Sequence, residues 1–393
     1  MKPIYIVSGV RTAIGDFGGS LSGFAPSELG GLVIKEAIQR AKLGASDVQH
    51  VIMGQVIPSE PKDAYVARVA AIKAGIPVST PALTVNRLCG SGLQAIISAG
   101  QLIALGEAHI AVAGGCEVMS RSPHHVQSAR FGQKMGDIRM IDAMIEVLSD
   151  PFEGYHMGIT AENIAAEYGV DRSQQDALAA QSHARASQAQ QEGRFDAQIL
   201  PVEIAERKAT RVFNRDEHVR AATTIEVLGG LKPAFKKDGT VTPGNASGIN
   251  DGAAAIVIAS QDAVVEQGLQ PLARIIGWGY AGVDPSMMGI GPVYAVPPAL
   301  AQAGIDLAQV DVIESNEAFA AQACAVSRTL GFDPEKVNPN GSGIALGHPV
   351  GATGAILTVK AMYELARIGG RYGLITMCIG GGQGLAMVIE REP

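Results

Sequence analysis

The chain has 393 residues, with 31 Lys or Arg against 38 Asp or Glu, so its formal net charge is −7. Hydrophobic residues make up 47% and charged residues 18% of the sequence, which excludes a disordered chain and predicts two or three domains around a large core. No basic block points to nucleic acid, and apolar runs such as residues 253–259 are far shorter than the ~18 residues of a membrane-spanning helix.

The first element is a short apolar strand at residues 4–7. This run is too short to be the apolar core of an export signal. The four cysteines, in a chain of this length without such a signal, are typical of reduced thiols rather than of a disulfide framework. We therefore expect a cytoplasmic protein without nucleic-acid or membrane partners.

The first 118 residues alternate between strand-like and helix-like patterns. Strands are predicted at residues 4–7, 48–56, 82–85 and 109–113. Apolar residues recur at helical spacing between these strands, at residues 29–40, 64–74 and 93–103, and Gly44 is predicted to end the first helix. This alternation predicts a layered α/β protein in which helices cover sheets.

Residues 119–248 break the alternation and carry most of the charged and polar residues. A helix is predicted at residues 171–193, where Asp171 and Gln174 resemble a capping box. Residues 244–260 then lead back into a buried strand. A large polar insertion on a compact scaffold is typical of a segment that covers a substrate.

The second half of the chain repeats the first. Residues 37–52 align with residues 299–314, and both copies continue through an alanine-rich segment into Val-Asn and Gly-Ser-Gly. Two final strands, at residues 372–378 and 385–390, are joined by a glycine-rich hairpin turn. We interpret the chain as two duplicated halves, residues 1–118 with 249–270 and residues 271–393, with an inserted loop domain at residues 119–248.

Cys89 lies in Asn-Arg-Leu-Cys-Gly-Ser-Gly, between a predicted strand and a predicted helix. The positive end of the helix dipole is expected to stabilise a thiolate there, because an ordinary thiol is only about 3% ionised at pH 7. The glycines on its C-terminal side leave space for a substrate carbonyl. The alternative is a buried cysteine that acts as a small hydrophobic residue.

His348 and Cys378 lie in two further glycine-rich segments. His348, within Gly-His-Pro-Val-Gly, is a candidate base for a neighbouring thiol, with a capping or core histidine as the alternative. Cys378 ends a strand and precedes Ile-Gly-Gly-Gly-Gln-Gly, whose backbone N–H groups could stabilise an anion. If the two halves meet, Cys89 and Cys378 would face one bound carbonyl.

Other sites are poorly supported. Residues 380–384 lack the Gly-x-Gly-x-x-Gly order and do not open a helix, and the sequence has no P-loop. It has no paired Cys-x-x-Cys, and the adjacent His124 and His125 would point to opposite sides, so we predict no metal site.

Four blocks together resemble the thiolase family over essentially the whole chain, and most closely bacterial acetyl-CoA acetyltransferases and β-ketothiolases. They are residues 86–92, 347–349, 378–384 and the Asn-Glu-Ala-Phe-Ala block at 316–320. The resemblance implies a five-layered αβαβα fold, a loop domain that binds coenzyme A, a homotetramer and a role in fatty acid metabolism. The implied reaction joins two acyl-CoA molecules reversibly to a 3-oxoacyl-CoA and CoA, with no metal or redox cofactor.

The resemblance also implies residue roles. Cys89 would be the acylated nucleophile, His348 its base, and Cys378 the acid/base that moves the α-proton of the second acyl-CoA. One oxyanion hole would consist of His348 and Asn316, which acts through a water, and the other of the backbone N–H groups of Cys89 and Gly380. Positions that match the family's coenzyme A contacts are Leu148, His156, Met157, Arg220, Phe235, Ser247, Met288, Ala318 and Phe319.

Some positions depart from the acetoacetyl-CoA thiolases. This chain has Ser342 within a Gly-Ser-Gly where many of them read Gly-Gly-Ala, and Val227 and Pro243 where serine and alanine are common. The sequence around Ser342 resembles that of broader-range β-ketothiolases, which argues against strict two-carbon specificity. Arg220 is suited to a phosphate, whereas His156 could instead be a structural histidine.

Two other functions are compatible with this fold. A ketoacyl-synthase-like condensing enzyme would show a Cys-His-His pattern, whereas this chain has a second cysteine where that pattern has its second histidine. A non-catalytic lipid-carrying protein would be expected to lose reactive residues, and here all of them are present.

Overall fold

A computed structural model of the chain describes residues 2–207 and 209–392. The strands are β1 Ile4–Thr12, β2 Gly15–Asp16, β3 His50–Gly54, β4 Ala82–Val85, β5 Ile110–Val118, β6 His124–His125, β7 Ile141–Asp142, β8 Ile199–Leu200, β9 Val202–Ala205, β10 Thr210–Phe213, β11 Asn250–Ser260, β12 Ala273–Gly282, β13 Val312–Ser315, β14 Tyr372–Ile379 and β15 Gln383–Arg391. The α-helices are α1 Pro26–Arg40, α2 Val66–Lys73, α3 Ser91–Leu105, α4 Ala143–Val147, α5 Met157–Glu167, α6 Arg172–Gln191, α7 Ile225–Gly229, α8 Gln261–Gln267, α9 Gly291–Ala303, α10 Ala320–Leu330, α11 Gly343–Leu346 and α12 Thr353–Ile368.

The two halves of the chain have the same sheet topology. The first half has the strand order β4-β3-β5-β11-β1 and the second has β13-β14-β15-β12. In each half the first strand runs antiparallel to the last, and one pair of neighbouring strands, β3 with β5 and β13 with β14, is parallel. Ile313 forms a parallel bridge to Val337, in the place that β4 occupies beside β3. The predicted duplication is therefore confirmed.

Helices fill three layers around these strands. Helices α1 and α2 cover the first-half strands, α9 covers β12, β14 and β15, and α10 packs against α9. Helix α3 contacts β3 and β5, α12 contacts β11 and β14, and α3 and α12 pack against each other between the strands of the two halves, which β1 and β12 join into one continuous sheet. This arrangement is the predicted five-layered αβαβα fold, with α3 and α12 in the central layer.

The central helices α3 and α12 approach each other more closely than side chains permit. A Cβ atom on Gly92 would lie 2.9 Å from the backbone nitrogen of Ala355, and one on Gly354 would lie 2.3 Å from that of Leu93. Real Cβ contacts essentially never fall below 3.0 Å. The crossing therefore requires glycine on both helices, and it brings together the loops that precede them.

The inserted segment is fastened to the first half by a buried ion pair. The guanidinium of Arg11 on β1 donates to both carboxylate oxygens of Asp216, at 2.7 and 3.0 Å, and to Gln198 at 2.8 Å. Strand β8 also pairs with β1. The predicted domain boundaries remain a prediction, although β5 ends at Val118 and β11 begins at Asn250, on either side of residues 119–248.

Several predicted boundaries were wrong for identifiable reasons. Strand β1 extends to Thr12 because buried polar partners continue it beyond its apolar run. Helix α1 ends at Arg40, and Gly44 instead precedes a 3-10 turn. The helix predicted at residues 64–74 is divided into a 3-10 turn and α2. The capping box is confirmed, since the Asp171 carboxylate accepts from the N–H of Gln174 at 2.9 Å.

Contrary to the expectation that all apolar runs are short, the chain contains one long apolar segment. Residues Leu88–Leu105 are long and apolar enough to cross a membrane by length and composition alone. This segment contains α3, which lies in the central layer against β3, β5 and α12, and more than half of it is buried. Core helices of globular proteins pass the same test.

Replacing Gly354 by alanine tests the helix crossing. Because the new methyl group would meet the backbone of Leu93, we expect Gly354→Ala to lower the free energy of unfolding by about 1–3 kcal/mol or more, measured by urea denaturation. The control is Gly229→Ala in α7, where a Cβ meets nothing within 4 Å. Equal stability of the two variants would contradict the close crossing.

Candidate active site

One pocket lies where the loops preceding α3 and α12 meet the C-terminal end of β14. It brings together Cys89, His348 and Cys378, although these residues are far apart in the sequence. Its lining residues are Val56, Leu88, Cys89, Val147, Leu148, Met157, Ser247, Met288, Ala318, Phe319, His348, Val350, Cys378 and Gly380. The predicted convergence of two thiols and one imidazole is therefore what the structure shows.

The loop that carries Cys89 is held in a strained conformation. Leu88 has φ of 45°, in the left-handed region that costs a residue with a side chain about 1–3 kcal/mol. Its N–H donates to the Asn86 side chain at 2.9 Å. The Ser91 hydroxyl accepts from the N–H of Arg87 at 2.8 Å and donates to the Leu88 carbonyl at 2.6 Å. These three bonds fix the turn that directs Cys89 into the pocket.

Burial dominates the ionisation of Cys89. Removal from bulk water raises the pKa of its thiol to about 11, although the backbone N–H groups of Gly380 and of Cys89 itself act in the opposite direction. The negative charge of Glu117 raises this pKa slightly further. The expected stabilisation of a thiolate is present in these N–H groups, but the loss of hydration outweighs it. The resting thiol is neutral at pH 7.

His348 is fixed on three sides. The backbone N–H of His348 donates to the Asn250 side-chain oxygen at 3.0 Å. The preceding residue, Gly347, has φ of 105°, and a Cβ on it would collide with the Asn250 side chain. On the ring, Nδ1 lies 2.6 Å from the Thr353 hydroxyl, and Nε2 lies 3.4 Å from the Asn316 side-chain nitrogen. Burial lowers the pKa of the imidazole to about 4. His348 is therefore neutral at pH 7, as a base must be.

Cys378 lies at the end of β14 and is buried. Burial is the largest cause that raises the pKa of its thiol, and the neighbouring Cys89 raises it further. A C–H group is a weak acid, so a strong base is needed to remove its proton. The thiolate of a thiol with a high pKa is such a base. The pocket thus holds two neutral thiols whose ionisation depends on each other.

Glu117 joins two backbone segments of the pocket wall through hydrogen bonds. One carboxylate oxygen accepts from the N–H groups of Val56 and Gly351, both at 2.9 Å, and the other accepts from that of Ile57 at 3.1 Å. The residue is fully buried, and burial raises its pKa. Sequence reasoning missed this residue, although an acidic side chain within a buried strand was the signal that could have identified it.

Three aromatic rings form one wall near Cys378. Phe319 lines the pocket and meets Phe235 edge to face, with 6.2 Å between the ring centroids. Phe235 in turn stacks on His156, with 4.6 Å between the ring centroids. His156 Nδ1 also accepts from the N–H of Gly158 at 3.0 Å and so caps α5. His156 therefore fulfils the structural role considered in the sequence analysis while it also extends the ring wall.

Most of the predicted coenzyme A contacts share this pocket. Those that line it are Leu148, Met157, Ser247, Met288, Ala318 and Phe319. His156 and Phe235 lie one layer behind, and Arg220 is exposed and lies outside the lining. Sequence reasoning did not identify Val56, Val147 and Val350, since single valines in apolar segments give no distinguishing signal.

Comparison with known proteins identifies the family. The family model "Thiolase, N-terminal domain" matches residues 4–262, and "Thiolase, C-terminal domain" matches residues 269–391. The chain belongs to the thiolase family. It is similar to the beta-ketothiolase BktB of Cupriavidus necator, at 57% identity over 99% of each chain, and to the acetyl-CoA acetyltransferase of Escherichia coli, at 51% identity over 100% of each chain.

Solved structures agree with this assignment. The acetyl-CoA acetyltransferase of Bacillus anthracis has a TM-score of 0.98 at 47% identity, covering 100% of this chain and 99% of that one. The human mitochondrial 3-ketoacyl-CoA thiolase in complex with CoA has a TM-score of 0.96 at 44% identity, covering 100% and 98%. The predicted family, fold and acyltransferase class are therefore confirmed, and these matches favour a thiolase over a ketoacyl synthase or a non-catalytic carrier.

The pH dependence of alkylation tests the ionisation of this thiolase's pocket. Only the thiolate reacts with iodoacetamide, and the pKa of Cys89 is raised to about 11. We therefore expect the alkylation rate of Cys89 to rise about tenfold per unit between pH 7 and 9, followed by mass spectrometry of the Cys89 peptide. Cys89→Ser measures background labelling of the other cysteines. A plateau below pH 8 would indicate a thiolate–imidazolium pair instead.

Proposed function

We propose that this thiolase joins two acyl-CoA molecules to a 3-oxoacyl-CoA and free CoA, reversibly and through an acyl group on Cys89. The observation that carries the proposal is the single pocket lined by Cys89, Cys378 and a neutral His348. A thiol attacks a thioester well because sulfur is polarizable and the product is another thioester. The enzyme would therefore form its intermediate at little cost in free energy.

The first half-reaction transfers an acyl group to the enzyme. His348 Nε2 takes the Cys89 proton as the sulfur attacks the thioester carbonyl, which avoids a free thiolate in a buried site. The developing oxyanion is stabilised by the N–H groups of Cys89 and Gly380, which already interact with the Cys89 sulfur. Collapse of this intermediate releases the CoA sulfur, and His348 returns the proton to it.

The second half-reaction forms the carbon–carbon bond. His348, neutral again, takes the proton of Cys378, and the Cys378 thiolate removes the α-proton of a second acyl-CoA. The resulting enolate oxygen accepts from the protonated Nε2 of His348 and from a water held by Asn316. The enolate carbon attacks the acyl carbonyl, and the C–S bond to Cys89 breaks. The departing Cys89 sulfur takes the proton back from His348, and the product is a 3-oxoacyl-CoA. Apolar walls around both sulfurs keep out water that would hydrolyse the acyl-enzyme.

Coenzyme A would occupy the side of the pocket near Cys378. There the apolar cluster of Cys378 includes Met157, Met288, Ala318 and Phe319, with Phe235 packed against it. Such residues suit a flexible, largely apolar pantetheine arm. Exposed Arg220 would bind a phosphate at the surface. Neither a metal nor a redox cofactor takes part in these steps.

The acyl group carried by Cys89 would point to the side of the pocket opposite coenzyme A. Cys89 packs against a second apolar cluster that contains Val56, Val350 and Met144, with Val147 at its edge. An apolar surface stabilises additional methylene groups of an acyl chain by removing them from water. We therefore propose that the enzyme accepts acyl chains longer than two carbons, in keeping with the Gly-Ser-Gly segment around Ser342.

We further propose a cytoplasmic homotetramer that acts in fatty acid metabolism. The support for assembly is the segment between β5 and α4, which exposes large apolar side chains. Phe131 and Met135 are 90% and 88% exposed, and Ile138 and Met140 are also exposed. Apolar side chains grouped in this way are typical of surfaces that meet another chain.

Removal of the second thiol separates the two half-reactions. We expect Cys378→Ala still to acquire a radiolabelled acyl group from acetyl-CoA, because Cys89 and His348 are intact. Its rates of condensation and thiolysis should fall by about 10²–10⁴-fold, the usual contribution of an acid/base residue. Cys89→Ser is the matched control, and it should take up no label. Label in Cys89→Ser, or normal thiolysis by Cys378→Ala, would contradict the assigned roles.

Steady-state thiolysis across chain lengths tests the acyl pocket. We expect kcat/KM for 3-oxohexanoyl-CoA to lie within about tenfold of that for acetoacetyl-CoA, because each added methylene group changes binding in an apolar pocket only modestly. A value a thousandfold lower for the longer substrate would indicate strict two-carbon specificity.

A further inference from the structure

The Thr353 hydroxyl lies between a ring nitrogen and a carbonyl oxygen. It is 2.6 Å from Nδ1 of His348 and 3.0 Å from the carbonyl oxygen of Pro349. Thr353 and His348 are 2% and 5% exposed, so bulk water does not compete for these bonds. Thr353 is the first residue of α12, and its position is therefore set by the helix that crosses α3.

The number of available protons determines how these bonds are directed. The Asn316 side-chain nitrogen, which can only donate, lies 3.4 Å from Nε2. Nε2 is therefore the ring nitrogen that accepts, and the single proton of the neutral imidazole is on Nδ1. Nδ1–H then donates to the Thr353 oxygen, and the Thr353 hydroxyl donates to the Pro349 carbonyl, which also accepts from the backbone N–H groups of Ala352 and Thr353 at 2.8 and 3.0 Å.

We propose that Thr353 is a positioning residue that holds His348 in the Nδ1–H tautomer and so keeps Nε2 free to take the proton of Cys89. This inference rests on the proposed role of His348 as the base. In the other tautomer Nε2 carries a hydrogen and cannot accept a proton. The partner of one ring nitrogen thus decides the function of the other.

Helix α12 also provides a matched control for this role. Thr358 is fully buried, and its hydroxyl donates to the carbonyl of Gly354 at 2.8 Å. The bond from Thr353 to Pro349 likewise joins a hydroxyl to the carbonyl four residues earlier. Valine at either position removes the same kind of bond with little change in shape, but only Thr353 contacts the imidazole.

The test compares Thr353→Val, Thr353→Ser and Thr358→Val in the full-length enzyme. We expect Thr353→Val to lower kcat for thiolysis by about 10–100-fold, the range found when the partner of a metal-binding histidine is removed, with KM changed less than about twofold. The alkylation rate of Cys89 should stay at the parent value, because alkylation requires only the thiolate. Thr353→Ser keeps the hydroxyl and should restore most of kcat, and Thr358→Val should keep the parent values. If Thr353→Val does not fold, Thr353→Ala replaces it under the same criteria.

Three results would overturn the inference: parent-like kcat in Thr353→Val, an equal loss in Thr353→Ser, or an equal loss in Thr358→Val. The proposed function is tested separately by His348→Asn. If His348→Asn keeps the parent thiolysis rate, the role of His348 as base fails. If His348→Asn is inactive while Thr353→Val is unimpaired, only the tautomer assignment fails.

Discussion

The active site depends on the crossing of helices α3 and α12 at Gly92 and Gly354. Each helix is preceded by a glycine-rich loop, one with Cys89 and the other with His348, and the loops can meet only as closely as the helices allow. Because backbone contacts backbone at this crossing, the separation of the loops is set by atoms that cannot change rotamer. Glu117 then fixes the two pocket walls with three backbone hydrogen bonds. Precise placement of this kind is what a reaction between a bound thioester and a side chain requires.

The same enclosure determines the charge state of the site. Burial raises the pKa of both thiols and lowers that of the imidazole, so the resting pocket carries no net charge on these three groups. A thiolate would be costly in such an environment without a partner. The proton must therefore move together with the attack on substrate, and the hydrogen bonds that orient His348 become more important than a favourable resting pKa.

Much of this architecture could be predicted from the sequence. The duplication, the layers and the convergence of Cys89, His348 and Cys378 followed from repeated patterns and from glycines in recognisable blocks. The ionisation of Cys89 did not, because a helix start is visible in a sequence whereas the extent of burial depends on distant segments such as residues 143–148. Glu117 and Thr353 were also missed. Their roles arise from bonds to backbone atoms and to one ring nitrogen, which leave no pattern in residue spacing.

The duplication has a consequence for how the chemistry is distributed. Ile52 on β3 lies beside Ala113 on β5, and its aligned residue Glu314 on β13 lies beside Ile375 on β14. Three residues further along each strand, Cys116 in the first half therefore matches Cys378 in the second. The ancestral position holds cysteine in both copies, but Cys378 lines the pocket whereas Cys116 is fully buried outside its lining. Acid/base chemistry at this position is thus confined to one copy of a symmetric scaffold, and in the other copy the neighbour of the silent cysteine, Glu117, anchors the pocket walls.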